Sequence, residues 1–172
     1  MALLDEAGWM DSNGDGLRDK EGVDLALTYG TTTREIRQKA QAIIREQLLQ
    51  VGIRLDLIDY PPSVFFSGFA EAGPAATGQL DVYQLSSAIR FPDPDTADFL
   101  CSQLASMQNP GGVNWIAFCN QELNDLLVNQ ISQVGSPDTE RQQTFHQISR
   151  IVFERAYFIG LWQDPDVWAL NK

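Results

Sequence analysis

The chain has 172 residues, 44% of them hydrophobic and 20% charged, a balance that suits one globular domain with a real core. Lys and Arg number 12 against 23 Asp and Glu, a formal charge of −11, which argues against nucleic acid, whose phosphates need clustered Lys and Arg. No run approaches the roughly 20 apolar residues of a membrane span, and no charged-then-apolar leader opens the chain.

Residues 2–9 read as a short helix ending at Gly8-Trp9. Residues 11–22, DSNGDGLRDKEG, are polar turn sequence. Leu25, Leu27 and Tyr29 alternate with Asp24, Ala26 and Thr28, which predicts a strand. Over 33–51, Ile36, Ala40, Ile43, Ile44, Leu48 and Val51 form a helical stripe, and Gly52 stops it. Ile53, Leu55 and Leu57 alternate with Arg54 and Asp56 as a second strand. Strand, helix, Gly, strand is a βαβ unit, so these two strands should run parallel with a right-handed crossover.

Pro61-Pro62 opens a further predicted helix through Phe65, Phe66 and Phe69. Residues 71–79 read as a flexible loop of small residues, and Asp81 to Ser87 as a third strand. Residues 90–119 are irregular, with a short helix expected near 95–104. Leu123, Leu126, Leu127, Ile131 and Val134 define an amphipathic helix that ends at Gly135. Ser136 as N-cap, Pro137 at N1, and Asp138 and Glu140 in the first turn start the last helix. It runs to about residue 154, with Phe145, Ile148 and Val152 inward; the tail from Tyr157 to Leu170 is aromatic and β-like.

Motifs that carry chemistry are few. His146 sits mid-helix between Phe145 and Gln147 with no identifiable nucleophile or carboxylate partner, and reads as a structural or surface histidine. No G-x-S-x-G, H-E-x-x-H, Walker A or G-x-G-x-x-G pattern occurs, which weakens a hydrolase reading. Asp11, Asn13, Asp15 and Asp19 match the oxygen positions of a calcium loop, with Gly16 at its turn. Gly22 stands where such a loop needs a bidentate Glu, and Asn-Gly and Asp-Gly form turns unaided. A plain turn and a weak cation site both remain readings, the second implying a calcium-binding structural or adhesion module. Cys101 and Cys119 lack the spacing of a zinc site. They are either two buried thiols or one disulfide across a Pro/Gly loop. Arg90-Phe91-Pro92-Asp93-Pro94-Asp95 follows a strand, either as a ligand-contacting loop or as a rigid loop with Arg90 paired to Asp93 or Asp95.

Several separated motifs, in order, resemble the C-terminal lobe of extracytoplasmic solute-binding proteins of the dipeptide/oligopeptide class. Leu3-Leu4-Asp5-Glu6-Ala7-Gly8-Trp9 resembles the family's Leu-Leu-x-Glu-Ala-Gly-Trp, followed by an Asp-rich Gly turn and a hydrophobic strand. Leu48, Gly52, Ile53 and Leu55 are similar to its Leu-x-x-x-Gly-Ile-x-Leu step, and Phe91-Pro92-Asp93-Pro94 to its Tyr-Pro-Asp-Pro. Asn114 resembles the Asn of the next loop. Asn120, Glu122, Leu123, Asn124 and Leu127 resemble Asn-x-Glu-Leu-Asp-x-Leu-Leu, with Asn124 in place of Asp. Asp138 and Arg141 resemble an Asp-x-x-Arg helix start.

The resemblance implies an α/β fold, one lobe of a two-lobe periplasmic-binding-protein-like (type II) architecture with a mixed sheet flanked by helices. Residues 1–172 would form that single lobe, excised from a longer protein whose N-terminal lobe is its partner. It implies no enzymatic activity and no cofactor. The partners would be a small solute or oligopeptide held between lobes, and an ABC permease. It implies an extracytoplasmic location, and with it a disulfide between Cys101 and Cys119. The ligand-lining residues would be Gln84, Ser86, Ser87, Arg90, Phe91, Asn114 and Trp115. Peptide binders of the family often carry an Asp, which pairs with the peptide ammonium, where this chain has Arg90, and a Trp where it has Ser87. Arg only donates, so Arg90 should face the cleft and favour an anionic group on the ligand.

Overall fold

A computed structural model describes residues 1–86, 96–133 and 138–162. They fall into two compact units, Met1–Cys119 and Asn120–Lys172.

The first unit opens with α1 (Ala2–Glu6) and the polar turn, which leads into a small antiparallel ladder of β1 (Asp19–Lys20) and β2 (Val23–Asp24). Glu21 and Gly22 link them with φ of 55° and 79°, the mirror-image turn that suits a two-residue hairpin. Arg18, buried at 6% exposure, ties this region together. Its guanidinium donates to Asp5 Oδ1 at 2.6 Å and, through Nε, to the Val51 carbonyl at 2.9 Å.

The main sheet has three strands in the order β4 (Arg54–Tyr60), β3 (Ala26–Thr32), β5 (Val82–Tyr83), all parallel. The register runs from Ala26 opposite Arg54 to Thr32 opposite Tyr60, and Tyr29 pairs with Val82. The βαβ expectation is met: α2 (Glu35–Leu49) carries the chain from β3 back to the start of β4. Gly52 adopts φ +83° just beyond the helix, and a Cβ there would lie 2.7 Å from Arg18 Cγ. The antiparallel pairing resides in the separate β1–β2 ladder; the three-stranded sheet is purely parallel.

The inward face of α2 differs from the predicted stripe. Arg37 and Gln41 are buried, whereas Ile36 and Ile43 are exposed. Polar groups win this face because β3 offers acceptors beneath it. Gln41 Nε2 donates to the Tyr29 carbonyl at 2.7 Å, and Arg37 Nη1 to Thr32 Oγ1 at 2.9 Å. A buried polar group is tolerated when its hydrogen bonds are made.

Three further segments depart from expectation. The helix after Pro61 is a single turn, α3 (Pro62–Phe65). Residues 71–79 are not a loose loop, since Ala75 and Ala76 are buried. They help form a cluster of Phe65, Ala75 and Leu80, flanked by Tyr60, Tyr83, Leu85 and Trp115. Burying one aromatic such as Phe65 contributes about 1.5–3 kcal/mol. Burial, with Asp98 adding a like-signed charge, pushes the Tyr83 phenol up to about 12. In place of a helix near 95–104 there are two 3₁₀ turns, Ala97–Phe99 and Cys101–Gln103. They break at Leu100, which is extended at φ −72° and ψ 135° and whose carbonyl accepts from both the Gln103 amide at 3.0 Å and Asn114 Nδ2 at 3.1 Å.

Cys101 and Cys119 form a disulfide, with Cα atoms 4.8 Å apart. Closing a loop of this size stabilises by about 3 kcal/mol in the chain-entropy account.

The second unit is a helix pair, α4 (Gln121–Ser132) and α5 (Asp138–Glu154). Asn120 caps α4, its Oδ1 accepting from the Leu123 amide at 2.9 Å. Leu123 and Leu127 are fully buried. Arg141 joins the helices, donating to Gln130 Oε1 at 2.7 Å and lying 5.2 Å from the centre of the Phe145 ring. His146 is on the exposed face of α5. The predicted capping segment around Gly135, Ser136 and Pro137, and the tail beyond Trp162, lie outside the described residues. No strand forms over 157–162.

Two positions hold β5 against β3. Gly30 leaves room for Leu80, because a Cβ there would lie 2.3 Å from Leu80 Cδ1. Gly30→Ala should therefore cost about 1–3 kcal/mol through overpacking, read as a lower urea midpoint. An unchanged midpoint would show that Leu80 yields freely. Asp81 accepts from both the amide and the hydroxyl of Thr28 at 2.7 Å, and these bonds hold its carboxyl below the usual carboxylate range. A depressed folded value means stability present above the unfolded value, about 3.9, and lost as pH falls through the folded one. The stability gap between wild type and Asp81→Asn should thus be largest near neutral pH and shrink below about pH 4. Thermal melts showing a pH-independent gap would contradict this.

Candidate functional site

In a parallel sheet the carboxyl ends of all strands lie along one edge, and ligands of open α/β sheets bind beyond that edge. Here the edge carries Thr31 and Thr32 from β3, and Gln84 and Ser86 just past β5. Thr31, Thr32 and Gln84 are buried, while Ser86 is exposed.

These groups form one network. Tyr29 Oη donates to Gln84 Oε1 at 3.1 Å, and burial raises the phenol above its ordinary value, so it stays a donor. Thr31 Oγ1 donates to the Gln84 carbonyl at 3.1 Å. Arg37, in the first turn of α2, donates through Nη1 to Thr32 Oγ1 and through Nη2 to Ser86 Oγ, the latter at 2.7 Å. The guanidinium thus spans the ends of β3 and of the segment after β5. These are not its only interactions, and the residue is only 7% exposed.

Of the residues expected to line a ligand, Gln84 and Ser86 stand in this network. Asn114 and Trp115 lie in the disulfide-closed loop. Asn114 Nδ2 donates to the carbonyls of Leu100 and Phe118, both at 3.1 Å, while its buried Oδ1 has no hydrogen-bond partner among the described residues. Trp115 Nε1 donates to the Gly112 carbonyl at 3.1 Å, and its ring packs on the Phe65 cluster. Ser87, Arg90 and Phe91 lie outside the described residues. Thr31, Thr32 and Arg37 were not among the expected residues. Their signal is present as a threonine run closing a strand and an Arg three residues into the next helix.

The acidic turn has an internal explanation. Asp11 accepts from the amides of Gly14, Asp15 and Gly16, and Asp15 Oδ1 from the amide of Leu17. Asn13 Oδ1 accepts from the Asp15 amide, and Asp19 from Ser12. Each oxygen-bearing side chain therefore stabilises the turn itself. Among the described residues, no three His, Cys, Asp or Glu side chains are grouped to hold a metal ion.

No family model matches the chain. The chain is 28% identical over 151 residues to the oligopeptide-binding protein AppA of Bacillus subtilis, covering 86% of this chain and 26% of that protein. The structure of AppA in complex with a nonapeptide superposes with a TM-score of 0.72 at 24% identity, over 91% of this chain and 29% of that one. The oligopeptide-binding protein of Thermus thermophilus with a pentapeptide gives 0.73 at 21% identity, over 91% and 27%. NikZ of Campylobacter jejuni with Ni(L-His) gives 0.73 at 19%, over 91% and 29%. The chain thus spans about a quarter of the length of the relatives it matches. The chain is thus similar in sequence to part of an oligopeptide-binding protein, and its fold is that of one lobe of the type II periplasmic-binding-protein class.

Proposed function

We propose that residues 1–172 are a single lobe of a longer extracytoplasmic solute-binding protein. Its role is to hold a peptide or similar small solute against a second lobe for delivery to an ABC permease. One observation carries this reading. The polar edge of the parallel sheet, with Thr32, Gln84 and Ser86 around Arg37, occurs in a fold shared with proteins solved around peptides. Hydroxyls, amides and a guanidinium suit reversible binding by hydrogen bonds, and they supply no activated nucleophile. The proposed contact residues are Gln84, Ser86, Ser87, Arg90, Phe91, Asn114 and Trp115. Among them Arg90 would favour an anionic group on the ligand, since a guanidinium pairs with carboxylates and repels an ammonium.

The test is affinity capture with the two-lobe protein from a random pentapeptide pool, the retained members identified by mass spectrometry and measured by calorimetry. Micromolar or tighter binding is expected. The 172-residue chain alone should bind the same peptide at least about tenfold more weakly, because half a clamshell supplies half the contacts and leaves the site wet. Retention of no peptide by the two-lobe protein, or equal affinity in the single chain, would overturn the reading.

A further inference from the structure

We infer that Arg37 is a positioning residue that sets the Ser86 hydroxyl as a hydrogen-bond donor, so that this edge of the sheet selects an oxygen acceptor on the ligand, a backbone carbonyl or a carboxylate. The inference rests on the binding reading above and specifies its chemistry.

The polarity follows from the donors and acceptors present. A guanidinium has five N–H donors and no acceptor. When Arg37 Nη2 lies 2.7 Å from Ser86 Oγ, the hydroxyl must be the acceptor. A serine hydroxyl has one hydrogen and two lone pairs. Accepting from Arg37 therefore leaves the Ser86 hydrogen free for another group. Ser86 is exposed, and among the described residues its hydroxyl makes no other hydrogen bond. Its O–H is available to a ligand, and a group that meets it must accept.

The neighbouring charge strengthens this choice. A hydroxyl that accepts from a cation becomes a better donor and a poorer acceptor, because linked hydrogen bonds polarise one another. A ligand ammonium approaching the remaining lone pair would also face the positive guanidinium. An amide N–H would gain less than a carbonyl oxygen for the first of these reasons. The geometry is held from behind. Arg37 is 7% exposed, and its other terminal nitrogen donates to Thr32 Oγ1, itself 1% exposed, at 2.9 Å. The guanidinium is thus pinned to β3 while it orients a side chain that follows β5. Arg suits this role because its planar fork reaches two acceptors at once, which a lysine ammonium on a flexible stem does not hold in fixed geometry.

The experiment uses the two-lobe protein and the tightest pentapeptide retained from the random pool. Ser86→Ala, Ser86→Thr, Arg37→Met and the double variant Arg37→Met with Ser86→Ala are compared by calorimetry, with thermal melts alongside. Ser86→Ala should melt like wild type and bind about tenfold more weakly, the size of one charge-assisted hydrogen bond. Ser86→Thr, which keeps the hydroxyl, should restore most of the loss. Arg37→Met should weaken binding by at least as much, and adding Ser86→Ala to it should cost less than about twofold more, since the two act as one unit. A set of the same pentapeptide with one thioamide at each peptide bond locates the acceptor. One position should lose affinity against wild type and none against Ser86→Ala. If Arg37→Met fails to fold, the Ser86 variants and the thioamide set decide the matter alone. Peptide binding that ignores Ser86→Ala overturns this inference and leaves the functional reading standing. No peptide binding by wild type overturns both.

Discussion

The candidate site depends on one constraint, that β3 is paired in parallel on both sides. Parallel pairing with β4 forces the chain to cross back over the sheet, which α2 does. Parallel pairing with β5 brings the carboxyl end of a strand some fifty residues away to the same edge. Once both neighbours are in place, Thr31, Thr32, Gln84 and Ser86 share one rim without any further device. The first turn of α2 starts beside that rim, so a long side chain from it reaches both strand ends, and Arg37 does so.

This arrangement explains why polar residues occupy buried positions that the helical pattern would assign to apolar ones. A parallel sheet edge leaves carbonyls and hydroxyls that must find partners when covered. Arg37 and Gln41 supply donors there, and the more apolar part of the α2 face, Ile44 and Leu48, is only half-buried. The cost of burying a guanidinium is offset by its hydrogen bonds, those to Thr32 and Ser86 among them. The core cluster is built by Phe65, Ala75 and Leu80, with Tyr83 and Trp115 packed against it.

Much of this was legible in the sequence. The alternation through Leu25, Leu27 and Tyr29, the helical spacing over 33–51, and Gly52 together gave a βαβ unit with the correct direction. The motif order from Leu3 to Arg141 pointed to the relatives that the comparisons then found. Asn120 was named from a motif, and its role as helix cap emerged only with its bond to Leu123. Residues 71–79 misled because Gly and Ala look like a loop in sequence, yet their lack of bulk is what lets Ala75 and Ala76 sink into the core. The Arg37–Ser86 contact was out of reach of pattern reasoning, since the two residues belong to different elements and meet only after the sheet forms. The acid turn shows the converse. Its oxygen spacing suggested a cation, and the backbone amides of the same turn donate to those oxygens from within.

The central claim is that the carboxyl edge of this sheet, with Arg37 behind it, is where ligand is held. Hydrogen–deuterium exchange of the two-lobe protein with and without its tightest pentapeptide tests it most directly. The account predicts peptide-dependent protection concentrated at residues 31–37 and 84–86, with the turn at 11–19, near the opposite ends of the strands, unchanged. Protection confined to 11–19, or absent from both strand-end segments while peptide is bound, would contradict it.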